Sequence, residues 1–314
     1  MTAAWIIGAN GLLGSALQRT FDRGGARLFV QPEKFSWHDT AALDDQLLAA
    51  VKAFAEFARD DKWQIYWAAG VGTMSSKREQ LAIETETLSI ILKSIESEPV
   101  LMAADGCIVF SSSAGAIYAG ASDDIITEDT AVAPTTDYAR EKLRQEKLLS
   151  EFSNNHNRLT VLLARISTLY GAGQANGKRQ GLLAHIARCL LRNQSVHIYV
   201  PFDTIRDYIT SDDAACAIVA TTHALMGNPG VFTKIIASEQ PTTIAEIISV
   251  FKRIVRRKPR VVSSANKLSS LYTRRVQFQS VNVPSNERMH KTSLLVGISQ
   301  VMEAERRAFT RAGR

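Results

Sequence analysis

An apolar run, Ala3-Ala4-Trp5-Ile6-Ile7, passes directly into Gly8-Ala9-Asn10-Gly11-Leu12-Leu13-Gly14, and a helical pattern then continues through Leu17 and Phe21. No other feature restricts the fold as much. A strand that ends in three spaced glycines and restarts as a helix brings backbone N–H groups and the positive end of a helix to one point. Gly8 suits the tight turn, Gly11 the close approach of a diphosphate, and Gly14 the packing of the helix on the strand. A strand-to-helix turn without a ligand satisfies the same pattern, so the loop needs supporting context before it indicates a dinucleotide.

The second strand gives less help. Arg27-Leu28-Phe29-Val30 is followed by Gln31-Pro32-Glu33-Lys34, where an acidic residue would bind the adenosine ribose of NAD. Glu33 is a candidate for that role, and Lys34 or Arg19 for the 2′-phosphate of NADP. NAD and NADP both remain open.

Strand-like runs recur at Trp63–Trp67, Cys107–Phe110 and Thr160–Ala164, separated by amphipathic stretches at 41–59, 77–97 and 139–152. This alternation predicts an α/β fold, a Rossmann-type doubly wound parallel sheet, with ligands beyond the carboxyl ends of the strands. Small or polar residues stand at those ends: Ala68-Ala69-Gly70-Val71-Gly72 after one, Ser111-Ser112-Ser113 after another. From Gly171 the pattern changes, with a helix at 182–191, a strand at 196–200 and a helix at 214–225 capped by Asp212-Asp213. A dinucleotide domain over 1–170 is expected, with 201–226 returning to it and 171–314 otherwise forming a smaller C-terminal substrate lobe.

Tyr138-Ala139-Arg140-Glu141-Lys142 supplies the chemistry. On a helix, Tyr138 and Lys142 share a face one turn apart, and an ammonium beside a phenol lowers a pKa that is ordinarily about 10. The pair then forms a general acid/base for alcohol and ketone chemistry.

The chain has 314 residues, 46% of them hydrophobic, enough for a buried core and about two domains. No run of 18 strongly apolar residues occurs, which argues against a membrane span. Three widely spaced cysteines, Cys107, Cys189 and Cys216, form neither a disulfide framework nor a metal cluster. With a strand already at residue 3, a cytoplasmic setting is expected. Residues 1–150 carry 14 Lys/Arg against 21 Asp/Glu, a balance of −7, so the remaining 23 against 10 give +13 and the whole chain +6. The basic excess at 252–275 and in Arg306, Arg307, Arg311 and Arg314 reads as a solvated face or as steering for a polyanionic substrate. No aromatic-rich basic motif points to nucleic acid.

Six segments in order, GANGLLG (8–14), WAAG (67–70), SSS (111–113), YAREK (138–142), RISTLYG (165–171) and RDYITSDDAACAI (206–218), resemble the extended short-chain dehydrogenase/reductase family, in its nucleotide-sugar epimerase and dehydratase branch. The resemblance covers about residues 3 to 250. It implies Tyr138 as acid/base, Lys142 on the nicotinamide ribose holding Tyr138 partly ionised, and Ser113 on the reacting oxygen, with Ser112 as the competing serine. It implies a cofactor site of Gly8, Asn10, Gly11, Leu12, Leu13, Gly14, Ala68, Ala69, Ser111, Tyr138, Lys142 and Ile166, holding NAD or NADP. The substrate, a nucleotide-diphosphate sugar, would meet Ser113, Thr168, Leu182 and Arg206. The other role for Arg206 is an ion pair to Asp207 or Asp212.

Departures from the branch narrow the reaction. Ala114-Gly115-Ala116 follows Ser113 where a 4,6-dehydratase carries an Asp-Glu pair, leaving an epimerase first, a reductase using NADPH second and a cofactor-sensing protein third. Thr168 replaces an Asn and Gly181 a polar residue, with Lys178 or Arg179 as substitutes. The resemblance also implies a homodimer through 77–97 and 139–152, with Ile83, Leu88, Ile91, Leu92, Leu143, Leu148 and Phe152 as apolar positions. Burial of these positions within one chain is the alternative.

Overall fold

The computed structural model describes all residues except 25–26, 38, 71, 75, 173–180, 257–258, 264–274, 283–290 and 313–314. Its strands are β1 (Thr2–Ile7), β2 (Arg27–Phe29), β3 (Lys62–Trp67), β4 (Gly106–Ser113), β5 (Leu159–Ile166), β6 (Thr168–Tyr170), β7 (Val196–Ile198), β8 (Ile205–Thr210), β9 (Gly230–Ile236), β10 (Pro241–Thr243) and β11 (Val261–Ser263). Its helices are α1 (Leu12–Gly24), α2 (Thr40–Phe57), α3 (Arg78–Glu96), α4 (Pro99–Ala103), α5 (Ala114–Ile117), α6 (Asp137–Asn154), α7 (Leu182–Leu191), α8 (Ser211–Leu225), α9 (Ile244–Val255) and α10 (Leu294–Ala312).

Six strands form one parallel sheet in the order β2-β1-β3-β4-β5-β9. The chain leaves β1 outward to β2 and returns to β3 on the other side, so the strand order reverses between β1 and β3. Ligands on such sheets bind at this reversal, beyond the carboxyl ends of the strands. Ile7 pairs with Trp67, which puts the glycine loop beside Ala68.

Alternate side chains of β1 enter opposite cores, as the two-residue period of a strand requires. Trp5 and Ile7 join Leu47, Phe54, Trp63, Ile91 and Phe110 under α2, α3 and α6. Ala4 and Ile6 join Leu17, Phe21, Tyr66, Val109 and Ile218 under α1 and α8. Each large side chain buried this way contributes about 1.5–3 kcal/mol relative to exposure. The second unit, the sheets β10-β8-β6 and β11-β7, packs with α7, α9 and α10 around Tyr170, Ile186, Tyr208, Phe251 and Ile298.

Some sequence expectations shift. Val30 lies outside β2 and is 75% exposed at the sheet edge. The cap of α8 is Thr210, whose hydroxyl accepts the Asp213 N–H at 3.1 Å, so Asp212 and Asp213 occupy the first turn instead of the cap. There Asp212 pairs with Arg19 of α1 at 2.6 Å. β9 lies beyond 201–226 yet completes the main sheet; its run 230–236 has no strict alternation and is hidden behind a stretch with few charges. Leu88, Ile91 and Leu92, expected as apolar dimer positions, are 1–3% exposed and belong to the monomer's own core, whereas Ile83 is 43% exposed.

Candidate active site

Gly8 adopts φ +91°, a conformation that L side chains rarely take, and a Cβ there would lie 2.6–2.8 Å from the Ala68–Ala69 backbone. A Cβ on Gly14 would stand 2.1 Å from the Gly8 carbonyl oxygen. The loop is therefore pressed between its own helix and the neighbouring strand end, with volume for hydrogen only. Gly11 N–H donates to Gly8 O at 2.9 Å, and Ala68 N–H to Ile7 O at 2.9 Å. Asn10 and Gly11 are exposed at the tip, and α1 starts at Leu12. The first N–H groups of a helix have no partner within it and carry its positive end. This bare, electropositive cradle fits a dinucleotide diphosphate.

Two strands along, β4 ends in the serine run. Alternation turns Ser112 to one side and Ser111 and Ser113 to the other. Ser112 is 5% exposed and donates to Glu146 at 2.6 Å, while the Ser113 hydroxyl favours the ionised form of the Tyr138 phenol. Thr136 caps α6 by accepting the Ala139 N–H at 3.2 Å, which sets Tyr138 in the first turn and Lys142 one turn on. Lys142 Nζ donates to Ser111 O at 3.4 Å and sits 4.7 Å from the Phe110 ring centroid. Ile166 pairs with Ser113 across β5 and β4.

The electrostatics differ from the expectation that Lys142 lowers the Tyr138 pKa. Burial and the Glu84 carboxylate push Tyr138 up to about 12, against the Ser113 hydrogen bond. Lys142 lies 5.9 Å from the Tyr138 ring centroid, its ammonium turned to Ser111 O. Its own pKa is lowered by burial, which outweighs the raising effect of Glu84 and Glu146.

The second sheet carries the other candidates. Thr168 is exposed at the start of β6, two residues past Ile166, and pairs with Tyr208 of β8. Arg206 is partly buried on β8, with its Nη1 donating to Ile205 O at 2.8 Å. Asp212 pairs with Arg19, and Asp207 accepts from Ser167 Oγ (2.6 Å), Ser238 N–H (2.8 Å) and Gln240 N–H (3.1 Å). Leu182 opens α7 after Gly181, whose φ is +93°. Lys178 and Arg179 lie outside the described residues.

A family model described as NAD dependent epimerase/dehydratase family matches residues 4–232. The chain belongs to this family. Two curated relatives agree with it: dTDP-4-dehydro-6-deoxyglucose reductase of Escherichia coli is 28% identical over 156 residues, which is 49% of this chain and 48% of that protein. dTDP-L-rhamnose 4-epimerase of Burkholderia thailandensis is 32% identical over 89 residues, 28% of this chain and 24% of that one. The matches thus span about half or less of these relatives. Among solved structures, MoeE5 in complex with UDP-glucuronic acid and NAD is similar at TM-score 0.78 and 19% identity, over 98% of this chain and 100% of that one. RMD from Pseudomonas aeruginosa complexed with NADPH is similar at TM-score 0.79 and 18% identity, with the same coverage. These likenesses establish a shared Rossmann-type fold.

For this member of the epimerase/dehydratase family, sequence reasoning missed the groups behind the catalytic candidates. Glu146, one turn beyond Lys142, is 4% exposed and accepts from Arg165 Nε at 3.0 Å and Nη2 at 2.6 Å. Arg165, 8% exposed, also donates to the Tyr118 hydroxyl. The signal was present: 138, 142 and 146 form one helical stripe, and Arg165 is the one charged residue of β5. Glu84 on α3 accepts the Gly72 N–H at 2.7 Å, and no local pattern reveals it. Among the described residues no group of three or more His, Cys, Asp or Glu could hold a metal ion, and no helix is long and apolar enough to cross a membrane.

Proposed function

We propose that the chain is a nicotinamide-dependent nucleotide-sugar epimerase with Tyr138 as its general acid/base. The observation that carries this is Tyr138 and Lys142 one turn apart on α6, with Lys142 Nζ donating to Ser111 O at the carboxyl end of β4 and the glycine cradle two strands away in the same sheet. NAD or NADP would lie with its diphosphate at Gly8, Asn10, Gly11, Leu12, Leu13 and Gly14, flanked by Ala68, Ala69, Ser111 and Ile166. When bound it supplies hydride transfer at the reacting carbon. The protein's own part is the proton: Tyr138 gives it to, or takes it from, a sugar oxygen that Ser113 holds. Such positioned transfer typically contributes about 10²–10⁴-fold.

Burial pushes Tyr138 up to about 12, so base catalysis requires the phenolate to be favoured. Ser113 does so by donating to it, and Lys142 supplies the nearby cation. Arg206, with a planar guanidinium suited to paired phosphate oxygens, is the candidate for the substrate diphosphate, and Thr168 and Leu182 for the sugar side. Ala114 and Ala116 are buried in α5 and offer no carboxylate, which argues against a 4,6-dehydratase. A complete Ser-Tyr-Lys set argues against a protein that only senses cofactor. In keeping with the family, the protein is proposed to work as a homodimer, for which α3 and α6 are the candidate surfaces.

One observation favours a second reading, an NADPH-dependent reductase of a keto-sugar. β2 is a three-residue edge strand followed by Val30 and Gln31, with no acid at its end and Lys34 exposed nearby. Incubation with UDP- and dTDP-linked hexoses separates the two. Epimer formation without net cofactor change supports the first reading. Stoichiometric NADPH consumption with a keto-sugar supports the second. Full turnover by Tyr138→Phe contradicts both.

A further inference from the structure

Four buried polar residues meet where α6 crosses the carboxyl ends of β4 and β5. Glu146 Oε1 accepts from Ser112 Oγ at 2.6 Å and from Arg165 Nε at 3.0 Å, and its Oε2 accepts from Arg165 Nη2 at 2.6 Å. Arg165 Nη1 donates to the Tyr118 hydroxyl, and the guanidinium lies 5.3 Å from that ring's centroid. All four residues are 1–8% exposed. Ser112 and Arg165 are register partners on β4 and β5, so one carboxylate of α6 grips two neighbouring strands at the same level.

The network brackets Ser113 along the chain. Ser112 precedes it and is tied to Glu146; α5 follows it from Ala114, and the C-cap of that helix, Tyr118, is tied to Arg165. On α6, Lys142 stands one turn before Glu146 and donates to Ser111 O at 3.4 Å, so residues 142 and 146 hold successive residues of β4. We propose that Ser112, Glu146, Arg165 and Tyr118 are positioning residues, a clamp that fixes Ser113 against the Tyr138–Lys142 stripe of α6. This rests on the reading of Tyr138 as the acid/base. A buried ion pair adds little stability over apolar side chains of the same volume, because desolvation offsets its attraction. Paired Arg–carboxylate bonds do fix direction, and here they fix two strand ends and a helix relative to one another. The clamp also engages the Ser112 hydroxyl, which leaves Ser113 as the serine for the reacting oxygen.

Ser112→Ala and Tyr118→Phe each remove one hydroxyl, on either side of Ser113, and keep the ion pair. The double change Glu146→Met, Arg165→Met removes both charges and keeps the volume filled. The full-length protein is labelled with ¹³Cζ tyrosine and ¹³Cε lysine and compared by NMR, with Tyr138 and Lys142 assigned by loss of their signals in Tyr138→Phe and Lys142→Met. No nucleotide sugar is needed, so the result stands apart from the substrate reading. The two hydroxyl variants should melt cooperatively, and in every folded variant the Tyr138 and Lys142 signals should both move from their parent positions. A network that only added stability would leave them in place, and parent positions for both signals in every folded variant would overturn the proposal. On whatever substrate the parent turns over, Ser112→Ala should lose about 10²-fold in kcat with KM little changed, the loss that a misplacement of about 1 Å produces. An unchanged kcat there would also overturn it. Full turnover by Tyr138→Phe would remove the acid/base reading while leaving the NMR comparison as it stands.

Discussion

The glycine loop and the Ser113–Tyr138–Lys142 corner stand two strands apart on one sheet, yet they are built on different principles. The loop works by excluding side chains: its donors are backbone N–H groups, and its tolerance is set by gaps of 2.1 Å at Gly14 and 2.6–2.8 Å at Gly8. The corner works by charge. Tyr138 and Lys142 are each shifted by burial and by carboxylates, and a buried Arg165–Glu146 pair lies behind them. A chemically mild change should therefore damage the loop through packing, whereas a mild change at the corner should leave the fold intact and stop the chemistry.

Tyr138→Phe is the largest expected effect and the cleanest test of that contrast. Turnover should fall by about 10²–10⁴-fold with melting temperature and cofactor affinity little changed. A comparable loss of cofactor affinity would mean that the two regions are not separable. Next, Glu146→Ala should leave the Arg165 charge buried without its carboxylate and cost about 3–5 kcal/mol in urea unfolding. The double change Glu146→Met, Arg165→Met should cost less than either single change. If the double variant is the least stable of the set, the buried pair is worth more than its desolvation cost.

Gly14→Ala adds one methyl group far from any reacting atom. Overpacking against the Gly8 carbonyl should cost about 1–3 kcal/mol and weaken dinucleotide binding, read by calorimetry beside the parent. Unchanged binding would remove the geometric basis of the loop assignment. The smallest effect concerns pH. Burial raises the Glu128 pKa, but the Ile235 and Val281 N–H groups and the Ser280 hydroxyl together hold it below its ordinary 4.5. A carboxylate depressed in the folded state adds stability above its unfolded pKa and loses it as pH falls through the folded value. The parent should therefore lose stability below about pH 4.5 more steeply than Glu128→Gln, as measured by thermal melts across that range.

The two regions also differed in how plainly the sequence announced them. The glycine loop was legible because its requirement is local: seven residues, from the end of a strand into the first turn of a helix, contain the whole geometric argument. Tyr138 and Lys142 were legible for the same reason, lying one turn apart on one helix. What escaped depends on tertiary contact. Glu84 reaches the corner from a helix more than fifty residues earlier in the chain, and Ser112 became a structural residue only when α6 brought Glu146 beneath it. The shift of Tyr138 to about 12 reversed the expected direction because burial and Glu84 act through space, whereas the i to i+4 argument saw only Lys142. In the second sheet, Arg206 was named from a motif, but the network that fills Asp207 draws on Ser167, Ser238 and Gln240, residues that no spacing rule connects.

The most direct test of the account is the identity of the small molecule that the purified protein holds. Denaturation of the full-length protein followed by mass spectrometry, with parallel titration of the unliganded fraction by NAD, NADH, NADP and NADPH, reads the glycine cradle without assuming a substrate. The account predicts a nicotinamide dinucleotide, co-purified or bound in the titration, with binding weakened in Gly14→Ala and retained in Tyr138→Phe. A protein that carries no dinucleotide and binds none of the four would contradict it.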